Sequence, residues 1–273
     1  MLPNFLYIGP DKTGSSWIHS ILMQHPESFV PKCKDIYYFD KQYHRGISWY
    51  SGFFKGIDGN VKAIGELSHD YMFSRDAALR IKNDIPDVKL ITCLRHPVER
   101  TFSHYLYLAR SGVTRESFRD ALISQPELIG NSMYSQHLQV YFDIFDKGNV
   151  KIFFFGDLKK DPTKFAMKLY NFLGISFYEQ INYKKKVRIA SKSKYYFLSK
   201  LVKFLANLSR KVGLVNLVGL IKHSPIVSFL YVEYKDDKPK ISDDDREFLL
   251  GIFREDVHCL EKLLNVELSA WLK

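Results

Sequence analysis

The chain has few cysteines and no long apolar run. Its 273 residues include three cysteines, Cys33, Cys93 and Cys259, widely spaced and odd in number. This usage predicts a reducing compartment and argues against a disulfide framework or a cysteine metal cluster. No apolar stretch reaches the length of about 18 residues that a membrane-spanning helix needs. The chain also enters its first predicted strand at once, with no signal-peptide pattern, so we expect a cytoplasmic location.

Acidic residues are missing from residues 180–232. The net charge is +10, and eleven of the 40 basic residues fall in this acid-free segment, while the other 29 are balanced by 30 acidic residues. We predict a basic helical segment over residues 184–222 that serves as a lid or as a surface patch for anions, such as an acidic acceptor or anionic phospholipids. The alternative is an ordinary solvated helical face.

Short apolar runs alternate with helical patterns along the chain. Strands are predicted over residues 5–8, 61–65, 88–94 and 150–155, and residues 27–60 read as a long irregular loop rich in aromatic side chains. Helix starts are indicated by Ser74, Pro97, Asp161 and Ser242, and Gly174 indicates a helix end. We therefore predict one α/β domain over residues 1–273, with a central parallel sheet flanked by helices.

The first informative stretch runs from the strand at Phe5 into a loop, Lys12 to Trp17, and then a helix. Free backbone N–H groups and the positive end of the helix dipole meet at such a junction, which favours anion binding. An ATP-binding P-loop would carry Lys and then Ser or Thr directly after its second glycine. Here the lysine precedes Gly14 by two residues. The loop is therefore similar to a P-loop without being one; the plain alternative is a strand–turn–helix with a surface lysine.

The second stretch is a buried strand that ends at Arg95, followed by a helix opened by Pro97 and carrying Ser103. The carboxyl end of a core parallel strand is where α/β folds bind ligands. The guanidinium fork of arginine suits a phosphate, and Ser103 lies about two helical turns further on. The alternative for Arg95 is a structural salt bridge.

Together the two stretches resemble sulfotransferases that use 3′-phosphoadenosine 5′-phosphosulfate (PAPS). The order Lys-Thr-Gly-Ser-Ser-Trp resembles their 5′-phosphosulfate loop, and Arg95 with Ser103 matches their 3′-phosphate site. The resemblance implies a P-loop-like fold, PAPS as sulfuryl donor, PAP as product and no metal. It implies that Lys12 stabilises the bridging oxygen as PAP leaves. The remaining donor contacts that it implies are Thr13, Gly14, Ser15, Ser16 and Trp17 for the 5′-phosphate, Arg95 and Ser103 for the 3′-phosphate, and Arg188 and Lys192 in a closing loop.

Residues 35–50 and 65–71 resemble the heparan sulfate type of Golgi sulfotransferases and their bacterial relatives. Two differences fall near the acceptor. Asp35 stands where the family has a catalytic Glu, while Leu67 and His69 stand where it has Lys and Pro. A general base must take the acceptor proton; Asp35 is the first candidate, by the family match, and His69 the second, because histidine titrates near neutral pH. We expect Glu66 to order the loop.

These observations favour a sulfotransferase acting on a hydroxyl or amine of a carbohydrate or glycolipid. A P-loop kinase is one alternative, and a polyanion- or membrane-binding module using the basic segment is another. We predict no nucleic-acid partner. Peripheral contact with an anionic membrane is an open possibility for the basic segment.

Overall fold

A five-stranded parallel sheet organises the chain, as seen in a computed structural model that describes residues 1–185, 187, 191–193, 201, 204–205, 208–209, 231–233 and 239–273. Its strands are β1 (Phe5–Gly9), β2 (Ser28–Phe29), β3 (Ala63–Leu67), β4 (Lys89–Leu94) and β5 (Val150–Phe154). They lie in the order β2-β3-β1-β4-β5, and each neighbouring pair is parallel. Two short strands, β6 (Ser191–Ser193) and β7 (Tyr231–Glu233), pair separately and antiparallel. The predicted α/β class with a central parallel sheet is confirmed.

Helices cover both faces of the sheet. They are α1 (Ser15–Gln24), α2 (Ile47–Ser51), α3 (Arg75–Asp84), α4 (Pro97–Arg110), α5 (Phe118–Ser124), α6 (Glu127–Gly130), α7 (Tyr134–Ile144), α8 (Phe155–Lys160), α9 (Pro162–Leu173) and α10 (Asp243–Leu264). Alternate residues of β1 point to opposite faces. Phe5 and Tyr7 pack with α1 and α9, whereas Leu6 and Ile8 pack with α3, α4, α7 and α10. Every residue of β1 is buried as a result.

Local signals define most helix ends. The side chains of Ser74 and Asp161 accept hydrogen bonds from the backbone N–H three residues later, at the starts of α3 and α9. Ser242 does the same for α10. Gly174 ends α9 in the left-handed region, with φ of 78°, where a side chain on Cβ would be strained. These ends agree with the sequence-based predictions.

Two regions differ from the sequence-based expectations. Residues 27–60 are not wholly irregular, because they contain β2, α2, a π-helical turn (Tyr38–Gln42) and two 3-10 turns (Tyr43–Arg45 and Gly52–Phe54) built on buried aromatic rings. Strand β3 begins at Ala63 rather than Val61, since the backbone N–H of Val61 closes a turn onto Asp58.

The predicted basic segment 184–222 lies mostly outside the described residues, and so does Arg188. Lys192 is described only as part of β6, which lies beside α4. The lid and the surface patch therefore stay predictions. Within the described part of the chain, no helix is both long and apolar enough to cross a membrane.

Candidate active site

The loop between β1 and α1 is shaped by a glycine and a buried threonine. Gly14 has φ of 98°, and a Cβ there would come 2.7 Å from Leu158 Cδ2, so a side chain at this position would be both strained and obstructed. The Thr13 hydroxyl donates to the Pro10 carbonyl at 2.7 Å and lies 2.7 Å from the Tyr7 hydroxyl. These hydrogen bonds hold the loop against β1, directly before the N-terminus of α1.

The residues predicted around the 5′-phosphate are placed at this helix start. Ser15 Oγ accepts a hydrogen bond from Lys34 Nζ at 2.8 Å. For Trp17, the backbone N–H donates to Gly14 O at 2.9 Å, and the indole N–H donates to Tyr183 O at 3.1 Å. Trp17 therefore anchors the helix start in the core. The cradle predicted for the 5′-phosphate, Thr13 to Trp17, stays a prediction.

Lys12 and Arg95 are brought together although they lie 83 residues apart. Arg95 follows β4 directly, and its Nη1 donates to the carbonyl oxygen of Lys12 at 3.3 Å. The Lys12 ammonium lies 4.5 Å from the centre of the Tyr107 ring. The two predicted anion-binding stretches therefore form one site at the carboxyl edge of the sheet, as expected for an α/β fold.

The Arg95 side chain is mostly buried and forms an ion pair with a carboxylate. Its Nη2 donates to Glu99 Oε2 at 3.2 Å, and the other oxygen of Glu99 accepts from Arg246 of α10, also at 3.2 Å. Among the described residues, Arg95 Nε has no hydrogen-bond partner. A buried donor of this kind is costly unless a ligand satisfies it, so the residue fits a phosphate site. Ser103 is half-buried on α4, two turns along the helix that Arg95 precedes.

Asp35 and His69 lie in direct contact across the site. His69 Nδ1 is 2.8 Å from Asp35 Oδ1, and His69 Nε2 is 3.0 Å from the Tyr37 hydroxyl and 3.3 Å from Asp70 Oδ1. Burial alone would lower the pKa of His69, but the carboxylates of Asp35, Asp70 and Asp11 outweigh it and raise this pKa above its ordinary value. The two candidate bases are thus one coupled pair.

A cleft of about 430 Å³ adjoins this pair. It is lined by Asp11, His69, Asp70, Phe73, Ser74, His104, Tyr107, Leu108, Glu127 and Asn131. Because Tyr107 also contacts the Lys12 ammonium, the cleft connects the donor loop with the candidate base. A second substrate in this cleft would lie between the two.

A buried ionic network under the cleft was missed by the sequence-based reasoning. Arg100 has a fully buried side chain and donates to Asp11 Oδ1 at 2.6 Å, to Ser132 Oγ at 3.0 Å and to His104 Nδ1 at 3.1 Å. Burial opposes the charge on Asp11, but Arg100 and then His104 hold the pKa of Asp11 well below its usual range. Burial also lowers the pKa of His104 to about 4. Arg100 lies within the second informative stretch of the sequence, but the sequence does not indicate which residues it contacts.

Lys34 was also missed. Its side chain is 8% exposed. Its ammonium group donates a hydrogen bond to Ser15 Oγ and lies 4.0 Å from Asp35 Oδ1. The signal available in the sequence was its position directly before Asp35. No group of three or more His, Cys, Asp or Glu residues is arranged to hold a metal ion in the part of the chain that the structure describes.

The profile of the sulfotransferase domain family matches residues 2–200. The chain therefore belongs to this family and is a sulfotransferase, which confirms the resemblance and the enzyme class. A solved bacterial structure, the sulfotransferase from Alicyclobacillus acidocaldarius, aligns over 100% of both chains with a TM-score of 0.72 at 24% identity, which shows the shared fold.

Three curated relatives show the range of similar proteins. The membrane-associated sulfotransferase kil1 of Dictyostelium discoideum is 38% identical over 106 residues, 38% of this chain and 22% of its own length. The human bifunctional heparan sulfate N-deacetylase/N-sulfotransferase 2 is 30% identical over 68% of this chain and 23% of its own length. The mouse heparan sulfate glucosamine 3-O-sulfotransferase 6 is 29% identical over 63% of this chain and 52% of its own length. The chain thus spans about a fifth to a half of these relatives.

Proposed function

We propose that this sulfotransferase moves the sulfuryl group of PAPS by in-line displacement to a hydroxyl or amine of a carbohydrate or glycolipid, with PAP as the product. The observation that carries the proposal is the hydrogen bond from Arg95 to the Lys12 carbonyl. It joins a helix N-terminal cradle and a buried arginine into one site, as a nucleotide phosphorylated at both ends requires. A carbohydrate acceptor is supported by the two relatives named for heparan sulfate.

Each residue is assigned one task. The cradle of Thr13 to Trp17 holds the 5′-phosphate, and Arg95 with Ser103 holds the 3′-phosphate. Lys12 stabilises the charge that develops on the bridging oxygen, a form of catalysis in which positioning and fixed charge contribute most. The Asp35–His69 pair takes the proton of the acceptor. Arg188 and Lys192 stay proposed donor contacts.

Thermal unfolding with PAP, ATP and heparin in parallel tests the donor assignment. A ligand that binds only the folded state raises the unfolding temperature as its concentration exceeds Kd. We expect PAP to stabilise the protein most, since ATP has no 3′-phosphate for Arg95. Stabilisation by ATP with none by PAP would favour a kinase, and stabilisation by heparin alone would favour a polyanion-binding module.

The Lys12→Ala variant tests the catalytic site separately. We expect kcat to fall by about a hundredfold or more, in line with the loss of one group that stabilises transition-state charge, while the fold is kept. Lys55→Ala removes an exposed lysine and serves as the matched control. Unchanged turnover of Lys12→Ala would remove Lys12 from the mechanism.

We also propose a cytoplasmic location, with peripheral contact between the basic segment and an anionic membrane as the alternative, because the Dictyostelium relative is named membrane-associated. Sedimentation with anionic liposomes at low salt separates the two. No binding under these conditions would exclude the membrane contact.

A further inference from the structure

Two departures from the family pattern lie in contact with each other. Asp35 replaces the usual Glu and is one methylene shorter, and His69 replaces a proline; the structure joins them through a 2.8 Å hydrogen bond. We propose that they act as one unit, with His69 as the general base and Asp35 as the residue that positions it. This inference rests on the proposed sulfuryl transfer. The imidazole would supply the reach that the shorter carboxylate has lost.

The hydrogen bond fixes which nitrogen of His69 is available. The Asp35 carboxylate can only accept, so His69 Nδ1 carries the hydrogen of this bond. In the neutral imidazole the lone pair is then on Nε2. A carboxylate that selects the tautomer of a histidine is the arrangement by which histidine bases are oriented in other enzymes.

The surroundings of His69 Nε2 suit a proton acceptor. The Tyr37 hydroxyl lies 3.0 Å away, which shows that an O–H group fits against this nitrogen. Asp70 Oδ1 lies 3.3 Å away and can accept from Nε2 once it is protonated. His69 and Asp70 both line the 430 Å³ cleft, and the His69 side chain is 24% exposed. Nε2 is therefore within reach of a substrate in the cleft.

The backbone holds both partners in place. Asp35 has φ of 66°, and its N–H donates to Leu67 O at 2.9 Å, which ties the loop to the end of β3. At Gly9, a Cβ would come 2.3 Å from the carbonyl oxygen of His69, so only glycine lets the His69 backbone pack on β1. A left-handed conformation at Asp35 costs free energy that the surrounding contacts must offset. Such strain is typical of positions where a side chain must point in a set direction.

The proposed step transfers one sulfuryl group and releases one proton. The acceptor oxygen or nitrogen forms a bond to sulfur while the bond from sulfur to the bridging oxygen breaks. The electron pair of that bond leaves with PAP, near Lys12. The acceptor proton passes to His69 Nε2 and later to solvent.

The charge state of His69 depends on every charged group near it. Burial opposes the protonated form, and the carboxylates of Asp35, Asp70 and Asp11 favour it. His104, whose pKa burial lowers to about 4, is neutral where His69 titrates. Lys34 lies 4.0 Å from Asp35 and Lys41 forms an ion pair with Asp70, so each reduces the effect of its partner. The resulting pKa lies above the ordinary value, and the base is active only above it. We therefore expect kcat/KM to rise with pH through this pKa.

NMR titration of the His69 ring tests the coupling without any acceptor. The signal is assigned by its loss in His69→Gln. We expect the pKa of His69 above 6.5 in the wild type and lower in Asp35→Asn, because the neutral amide no longer favours the imidazolium. A His69 pKa that is the same in both proteins would overturn the role given to Asp35.

Turnover tests the assignment of the base, with radiolabelled PAPS and with heparosan, chitotetraose and lactosylceramide as acceptors. We expect His69→Gln to lower kcat by about 10²- to 10³-fold with the Kd for PAP unchanged by calorimetry. Asp35→Asn should lower kcat less and move the acid limb of kcat/KM to lower pH. His44→Gln, an exposed histidine of the same loop, is the control.

The possible failures can be told apart. If PAP does not bind the wild type, the proposed function is wrong. If PAP binds and sulfuryl transfer occurs, but His69→Gln keeps wild-type kcat, only the assignment of His69 is wrong. If the acid limb of Asp35→Asn coincides with that of the wild type, Asp35 does not position the base.

Discussion

Glu66 is a carboxyl group that the fold keeps away from water. It lies near the end of β3, is 1% exposed and accepts a hydrogen bond from the Tyr71 hydroxyl. Burial raises its pKa to about 8, and Asp40 and Asp35 act in the same direction. The folded protein therefore keeps this proton at a pH where the unfolded chain, with a pKa near the ordinary value of about 4.3, has lost it.

Glu66 should make stability decrease with pH over this window. Where the folded state binds more protons than the unfolded state, the free energy of unfolding falls as pH rises. The Glu66 contribution is complete below about pH 4.3 and is lost as pH approaches 8. We expect Glu66→Gln to weaken the fall in Tm between pH 5 and 8. Exposed Glu179→Gln is the control, and a Tm profile of Glu66→Gln parallel to the wild type would contradict the expectation.

Single residues of the site differ in how far the sequence predicts them. Lys12 and Arg95 each follow a strand end within a few residues, so local order alone indicates an anion site. The contact between Asp35 and His69 spans 34 residues and depends on how the aromatic loop folds back onto β3. Two partners of Arg100, Asp11 and Ser132, lie 89 and 32 residues away from it in sequence. Such contacts are set by tertiary packing, which no local pattern encodes.

The C-terminal helix α10 lies beyond residues 2–200, the part that matches the family profile, yet it supports the site. Arg246 at its start donates a hydrogen bond to Glu99, which also accepts one from Arg95. Further along, Asp256 accepts the backbone N–H groups of Tyr134 at 2.8 Å and Ser135 at 3.0 Å. Asp256 therefore caps α7 from another helix, and the Tyr134 hydroxyl bonds the Arg95 carbonyl at 2.8 Å.

Asp256→Ala should destabilise the protein by about 1–3 kcal/mol, because buried N–H groups at the start of α7 would lose their acceptor. Urea unfolding measures this through a lower midpoint with an unchanged m-value. Glu255→Ala, an exposed neighbour on the same helix, should change the midpoint little. Equal midpoints for the two variants would show that the cap contributes nothing.

Helices and strands were predicted correctly where the sequence pattern that marks them is local and covers enough residues. Caps and prolines marked the starts of α3, α4, α9 and α10, and continuous apolar runs marked the central strands. Strand β2 has two residues, too few for any periodicity to appear. The short turns of residues 38–54 form because Tyr38, Phe39 and Tyr50 are buried against one another. Their structure therefore follows from packing rather than from propensity.

Across the whole molecule, the sheet places opposite charges in different parts of the site. Lys34 and Arg95 both contact the loop and helix start that follow β1, where Lys12 lies. The described residues that line the cleft include the carboxylates of Asp11, Asp70 and Glu127 but no Lys or Arg. If the acceptor binds in this cleft, as proposed, an anionic acceptor would meet these carboxylates.

We therefore expect a neutral or amine-bearing glycan to be a better acceptor than a polyanion. At low salt, kcat/KM should be higher for chitotetraose or lactosylceramide than for heparosan, and the difference should shrink as salt approaches 0.1 M, where the Debye length is about 10 Å. Glu127→Lys, on the exposed start of α6, should raise kcat/KM for heparosan while leaving the neutral acceptors nearly unchanged. Glu179→Lys makes the same charge change away from the cleft and should not alter the preference. A preference for heparosan at low salt in the wild type would mean that carboxylates of the cleft do not select the acceptor, and that the charge of the basic segment does so instead.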